Sequence, residues 1–331
     1  VKLSDIARLA GVSVTTASYV INGKAQQQRI SPGTVERVQA VVQEHGFTPN
    51  PQAAGLRSRR TRTLGFILPD LENPSYARIA KFLEQGARAR GYQLLIASSD
   101  DEPESEHQLQ KLFRARHCDA LFVASCLPPT DGCYREIQSR GTPVIAIDRQ
   151  LDPALFCSVV SDDRHAAAQL TASLLTPAPR NIALIGARPE LSISQARAAG
   201  FEEALKGFEG PVRLFHAEHF SREGGQQLTE QLLEEMGSLP DALVTTSYVL
   251  LQGVFDVLQA RALDFSQLRL ATFGDTQLLD FLPLPINAMG QQHKLIADTA
   301  LDLALGALEQ KRYEPGVSAI ARCFKQRIRQ A

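Results

Sequence analysis

Between residues 63 and 289 the chain alternates short continuous apolar runs with segments whose apolar residues recur every three or four positions. The runs fall at Thr63 to Leu68, Tyr92 to Ala97, Asp119 to Ala124, Pro143 to Ile147, Ile182 to Ile185, Val212 to Phe215, Ala242 to Thr245, Leu268 to Phe273 and Ile286 to Met289. Runs that are continuous rather than alternating predict strands buried on both faces. Their alternation with helical segments predicts parallel sheets joined by right-handed crossovers. Nine such strands predict an α/β body of two doubly wound halves. Ligands of such sheets sit beyond the carboxyl ends of the strands. The polar residues just after the strands are therefore the site candidates: Asp70 with Asn73 and Tyr76, Asp148-Arg149, Ser192 with Ser194 and Arg197, Phe220, Ser247, Asp275 and Gln291. Carboxylates, a guanidinium and hydroxyls suit adjacent sugar hydroxyls, and an arginine can also fork onto a phosphate. Residue by residue, a plainer role stays open: Asp148-Arg149 as an ion pair, Ser192 or Ser194 as a helix cap.

The first 47 residues follow a different pattern. Ser4 is placed to cap a short helix carrying Ile6, Leu9 and Ala10 and ending at Gly11. A second helix, Val14 to Asn22, places Ala17, Val20 and Ile21 inward and Thr15, Thr16, Ser18 and Tyr19 outward. Ser31-Pro32 opens a third, with Val35, Val38 and Val42 inward and His45-Gly46 as its stop. Two short helices across a glycine-containing turn predict a helix-turn-helix, whose second helix enters the major groove. Its outward face is polar but uncharged, while Lys2, Lys24 and Arg29 flank it, which divides base reading from phosphate holding. After Pro49-Asn50-Pro51, the segment from Gln52 to Arg57 has the length of one or two helical turns. That is well under the about 12 to 15 residues a helix needs alone in water, so it is expected to form only when held.

Charge strengthens this division. The first 62 residues carry nine Lys or Arg against three acidic residues, a balance of +6 in a chain whose total is -1, which leaves -7 on the rest. A basic head on an acidic body is expected where one end meets nucleic acid. No apolar run approaches the roughly 20 residues that span a bilayer, and the first residues show no secretory pattern, so neither a membrane role nor export is expected and the cytoplasm is. The five cysteines are odd in number and lack a C-x-x-C pair, which predicts reduced thiols, no disulfide framework and no metal site.

The stretch Asp5-Ile6-Ala7-Arg8-Leu9-Ala10-Gly11-Val12-Ser13, followed by Thr16, Ser18 and Asn22, resembles the headpiece of the lactose/galactose repressor family, and Phe47-Thr48-Pro49-Asn50 matches its end. The motif Arg-x-x-Gly-aromatic appears as Arg197-Ala198-Ala199-Gly200-Phe201. The resemblance covers nearly the whole chain and implies a three-helix headpiece over 1–47, a hinge helix and linker over 48–62, and a periplasmic-binding-protein-like body over 63–331. Within that body it implies one subdomain of about 63–160 and 292–316 and a second of about 161–291 and 317–331. DNA contacts are then expected at Ser4, Val14, Thr15, Thr16, Ser18, Tyr19, Asn22, Lys24 and Arg29. Asn50, Ala53, Leu56 and Arg57 join them, with Leu56 as a minor-groove wedge. Effector contacts are implied at Asp148, Arg197, Asp275 and Gln291. Two loops depart from the pattern: Ser247-Tyr248 stands where many members have Asn-Asp, and Phe273-Gly274-Asp275 replaces aromatic-Asp-Asp. Thr15 to Lys24, Tyr92 to Ala97, Thr245 to Ser247 and Leu250 to Gly253 resemble the fructose-responsive members, which implies fructose 1-phosphate as effector.

The expectation is a homodimeric or tetrameric transcription regulator that binds a palindromic operator and is released by a phosphorylated sugar. No cofactor is expected. Sugar kinases also place polar loops over parallel sheets, but the chain has no G-x-x-x-x-G-K-[ST], no G-x-G-x-x-G after a strand, no G-x-S-x-G and no H-E-x-x-H, so no enzyme is expected. A regulator with another effector or a corepressor stays open, as does a sugar-binding protein that leaves DNA alone.

Overall fold

A computed structural model describes residues 1–47 and 60–328, so Asn50, Ala53, Leu56 and Arg57 lie outside the described residues. The chain divides into two compact units, 1–61 and 62–331.

The described residues of the first unit form three helices, α1 (Leu3–Leu9), α2 (Val14–Ile21) and α3 (Pro32–Glu44). Ile6, Ala7, Ala10, Ala17, Val20 and Val38 make its core, with Val35 and Val42 packed against it. Ser31 caps α3 as expected, its hydroxyl accepting the Thr34 N–H at 3.4 Å, with Pro32 behind it. The start of α1 differs from the expectation. The helix begins one residue before Ser4, because the Asp5 carboxylate accepts the Lys2 N–H at 2.9 Å and ties off the first turn; Ser4 is an exposed residue within it.

In the second unit two six-stranded sheets share one topology. The first contains β1 (Thr63–Leu68), β2 (Gln93–Ser98), β3 (Ala120–Val123), β4 (Val144–Ile147), β5 (Cys157–Ser161) and β11 (Gly316–Ile320), in the order β11-β5-β4-β3-β1-β2. The second contains β6 (Ile182–Ala187), β7 (Val212–Ala217), β8 (Ala242–Thr245), β9 (Arg269–Phe273), β10 (Ile286–Gly290) and β12 (Cys323–Lys325), in the order β12-β10-β9-β8-β6-β7. β12 is antiparallel to β10; the other pairings are parallel. The covering helices are α4 (Pro74–Ala89), α5 (Pro103–Ala115), α6 (Cys133–Ser139) and α11 (His293–Gln310) in the first half. Those of the second are α7 (Asp163–Ala172), α8 (Ser192–Ala204), α9 (Arg222–Met236) and α10 (Tyr248–Ala260). β1, β3, β4, β6 and β8 are buried almost throughout, which is why their sequences are unbroken apolar runs.

Among the described residues twelve strands stand where nine were expected. β5 carries two buried serines, Ser158 and Ser161, which interrupt its apolar run. β11 alternates exposed and half-buried residues before Ile320, and β12 has three residues, so neither shows the pattern of a strand covered on both faces. The expected subdomain boundary moves in consequence. Gly316–Ile320 pairs with β5, so residues 317–320 belong to the first half and the last crossing falls at Ala321-Arg322.

In both sheets strand order reverses at the first strand, which leaves a crevice at the carboxyl ends near β1 and β6. The packing of α7 on α8 accounts for one motif glycine. A Cβ at Gly200 would sit 2.1 Å from the Arg164 carbonyl and 2.8 Å from Ala167, so only glycine permits this approach. Phe201, the next residue, is fully buried, and Arg197, one turn earlier on the same helix, lines the crevice.

Candidate functional site

In the headpiece the outward face of α2 presents Val14 and Thr15 exposed, and Thr16, Ser18 and Tyr19 half-buried. Not all of these are free for a ligand. The Thr16 N–H and hydroxyl both meet the Ser13 hydroxyl, at 3.1 and 2.9 Å, which is the cap of the helix. Asn22 donates its side-chain amide to the Ser18 carbonyl at 2.7 Å and to the Ser18 hydroxyl at 3.3 Å, closing the last turn. Thr15 and Tyr19, one turn apart and engaged in neither cap, remain the most available polar groups of the face. Lys24 and Arg29 follow in the exposed turn before α3.

The crevice of the body is a cavity of about 490 Å³, a size that suits a small molecule. The segments that open α4, α8, α9, α10 and α11 all supply lining residues, so partial positive charge from several helix starts converges there. Of the residues expected from sequence, Asn73, Tyr76, Asp148, Arg149, Arg197, Phe220, Ser247, Asp275 and Gln291 line it, together with Asp70.

Ser192 and Ser194 do not, and their assignment is corrected. α8 begins at Ser192 after Leu191, and this register turns Ile193 toward the cavity. Ser192 is left exposed, and the buried Ser194 hydroxyl donates to the Ala187 carbonyl at 2.7 Å.

Asp148 lies at the centre of the site, on a left-handed residue (φ 66°) just after β4. Its two oxygens accept from Tyr76 Oη at 2.8 Å and from Gln291 Nε2 at 2.7 Å. Burial opposes its charge, but the Arg197 and Arg322 guanidiniums and these hydrogen bonds outweigh it and hold the carboxyl below its ordinary value. Arg149 makes a forked ion pair with Asp101, Nη2 to Oδ2 at 3.0 Å, and is neutralised there. Asp275 accepts from Arg327 at 2.5 Å.

Arg197 and Arg322 are balanced differently. Both Nε atoms donate to the same oxygen of the buried Asp163, each at 2.9 Å, and both guanidiniums stack on Phe273, at 4.5 and 5.2 Å from the ring centre. Arg197 Nη1 also donates to the Thr246 carbonyl at 2.7 Å. Burial, together with repulsion from Arg197, pulls the Arg322 guanidinium below its ordinary value, although Asp163 opposes this. The two buried cations face two carboxylates, Asp163 by hydrogen bond and Asp148 through space, so what they offer an anion entering the cavity is guanidinium N–H groups beyond those committed to Asp163 and Thr246.

Sequence reasoning missed Arg322, Arg78, Asp101, Asp163 and His293. Asp101 follows β2 and the strand-end rule reaches it; Arg322 sits between two strands whose pattern was not legible, and Asp163 lies beneath the cavity floor, not on it. The two loops that depart from the family pattern meet each other. Gly274 is left-handed (φ 92°), and a Cβ there would stand 3.0 Å from the Cβ of Tyr248.

His293, at the start of α11, has Nε2 3.3 Å from the Ser75 hydroxyl. Burial, with Arg78 and Arg322 nearby, pushes it down to about 4, so the folded protein holds it neutral. The unfolded chain takes up a proton near pH 6.5 and the folded one only near 4. Stability carried by this site is therefore complete above pH 6.5 and lost as pH falls toward 4. His293→Gln, which cannot titrate, is expected to melt with a shallower dependence on pH across that window; identical slopes for both proteins in thermal melts would show that His293 does not contribute.

The first 50 residues match the family model of bacterial regulatory proteins of the lacI family over residues 2–50. Residues 61–268 match the model of periplasmic binding proteins and the sugar binding domain of the LacI family. The fructose operon regulatory protein of Vibrio cholerae is 50% identical over 325 residues, covering 98% of this chain and 99% of that protein. The catabolite repressor/activator of Escherichia coli strain K12 is 47% identical over 323 residues, covering 97% and 96%. Among solved structures, the Cra transcriptional dual regulator of Pseudomonas putida in complex with fructose 1-phosphate is 75% identical, with a TM-score of 0.80 over 81% of this chain and 99% of that one. A lac repressor dimer bound to operator and an anti-inducer shares the fold at a TM-score of 0.85 over 99% of this chain and 98% of that one, with 21% identity.

Proposed function

The chain belongs to the lacI family of bacterial regulatory proteins, and on that premise we propose that it is a cytoplasmic transcription regulator of sugar and central carbon metabolism, bound to a palindromic operator as a two-fold pair of copies and released by fructose 1-phosphate. The observation that carries the effector reading is the pair of buried guanidiniums, Arg197 and Arg322, on the single Asp163 oxygen, beside an Asp148 with Tyr76 on one oxygen and Gln291 on the other. The cations take the phosphate. Asp148, oriented and ionised, accepts from sugar hydroxyls, with Asn73, Arg149, Phe220, Ser247, Asp275 and Gln291 completing the wall.

On the DNA side, Val14, Thr15, Ser18, Tyr19 and Asn22 face the major groove. Ser4, Thr16, Lys24 and Arg29 hold the backbone beside it. Asn50, Ala53, Leu56 and Arg57 are assigned to the adjacent minor groove on the sequence resemblance. The sugar acts on operator affinity through its unequal affinity for two arrangements of the two halves that enclose it. The site binds its ligand and returns it unchanged.

Operator titration at fixed salt, with and without sugar, tests the reading. Saturating fructose 1-phosphate is expected to weaken operator binding by about tenfold or more, and fructose at the same concentration to leave it unchanged. Tighter operator binding with the phosphorylated sugar would instead make the ligand a corepressor, and no response to any sugar phosphate would remove the effector assignment.

A further inference from the structure

Away from the cavity, in the first half of the body, three residues of metal-ligating type converge: His107 on α5, Asp131 in the turn before α6, and Cys133, the first residue of α6. One ligand atom from each lies within 4.8 Å of the other two, which is compatible with a tetrahedron whose edges run about 3 to 4 Å. His107 Nε2 is 2.8 Å from Asp131 Oδ2, while Asp131 Oδ1 accepts the Cys133 N–H at 2.9 Å and holds the thiol on the same side of the turn. All three are half-buried, so an ion and one water have a way in.

A second observation points the same way. Gln110, one turn after His107, is 4% exposed, and its side-chain Nε2 is buried without an acceptor. Its amide lies against the Cys133 thiol and the Tyr134 hydroxyl. The Tyr134 hydroxyl donates to Glu106 and keeps its lone pairs beside the amide, whereas the thiol accepts only weakly. A metal-bound thiolate would be a stronger acceptor for this donor than the thiol is.

We propose that His107, Asp131 and Cys133 form a binding site for a zinc-class divalent cation, with water as the fourth ligand and Gln110 donating to the thiolate from behind. Thiolate and imidazole select against magnesium and calcium, which prefer oxygen. On binding, the metal–sulfur bond replaces the S–H bond and the proton leaves to solvent. His107 presents the Nε2 lone pair to the metal and carries its proton on Nδ1. The ion then fastens α5 to the start of α6, adding to the Tyr134–Glu106 hydrogen bond, the His107–Asp131 contact and the exposed Arg114–Glu136 ion pair.

The test is a cobalt titration of the reduced, chelator-treated full chain, followed by displacement with zinc. Expected are a thiolate-to-cobalt charge-transfer band, one equivalent of metal per chain, and a higher melting temperature with zinc. Cys133→Ser should lose the band and His107→Ala the tight binding, and zinc should stabilise neither variant. Cys323→Ser, at an exposed cysteine, should behave as wild type, and Gln110→Leu should keep the band with affinity about tenfold lower. Melting each variant without metal shows that it is folded. No band in wild type, a band that persists in Cys133→Ser, or one that disappears in Cys323→Ser would overturn the assignment.

Discussion

Arg197→Ala is expected to bind operator as tightly as wild type and to stay there when fructose 1-phosphate is added. The side chain supplies a planar, permanently charged fork held by Asp163, the Thr246 carbonyl and the face of Phe273, so its donors are aimed before the ligand arrives. A charge-assisted contact of this kind contributes about 1.5 to 3 kcal/mol, which corresponds to a loss of roughly tenfold to 150-fold in affinity for the phosphorylated sugar. Truncation leaves Arg322 on Asp163, so no carboxylate is stranded and the fold should hold. Asp163→Ala is a different case. It leaves two buried guanidiniums without their shared partner and is expected to destabilise the body by about 3 to 5 kcal/mol. Calorimetry of wild type and Arg197→Ala with fructose 1-phosphate and with fructose, beside thermal melts and operator titration, reads all of this. Unchanged affinity for the phosphorylated sugar, or normal release of the variant from operator, would remove Arg197 from the effector site.

Tyr19→Ala is expected to lose sequence discrimination without losing affinity for DNA in general. Tyr19 stands one turn along α2 from the exposed Thr15, and only its backbone carbonyl, which accepts the Lys24 N–H at 2.8 Å, takes part in the helix end, so truncating the side chain should leave the helix intact. A base-edge contact carries about 1 to 3 kcal/mol of discrimination, and this is the amount by which the operator-to-scrambled ratio should fall. Lys24→Ala addresses the other half of the division of labour. It should weaken binding to both duplexes alike and reduce the salt slope by about one. Titrations of operator and scrambled duplex over a series of salt concentrations separate the two patterns. A Tyr19→Ala protein that keeps its discrimination would mean that α2 lies in the groove by another face.

Much of this was legible in the sequence because it rests on local rules. A strand covered on both faces must be apolar throughout, so β1, β3, β4, β6 and β8 announced themselves, and a parallel sheet places its ligand at the ends of such strands. That rule alone located Asn73, Tyr76, Asp148, Arg149, Arg197, Phe220, Ser247, Asp275 and Gln291 at the cavity. The Ser31-Pro32 start of α3 and the apolar stripe of α2 follow from capping and helical period in the same way.

The tertiary structure decided what those rules do not reach. Edge strands such as β11 and β12 are covered on one side or are very short, so they carry no apolar run, and with them went the place of the last crossing and of Arg322. Helix register is set by how the helix packs, and it turned Ser194 to a backbone carbonyl and Ile193 to the cavity. The charge balance of the site was equally out of reach. Arg197 and Arg322 stand 125 positions apart in the chain and meet on one oxygen of Asp163, a residue beneath the cavity. His107, Asp131 and Cys133 show no ligand spacing in sequence and converge only because the turn into α6 folds back against α5. A sequence records which groups can pair with their neighbours along a helix or strand. Which distant charges share a partner depends on desolvation in a common pocket, and only the folded chain creates that pocket.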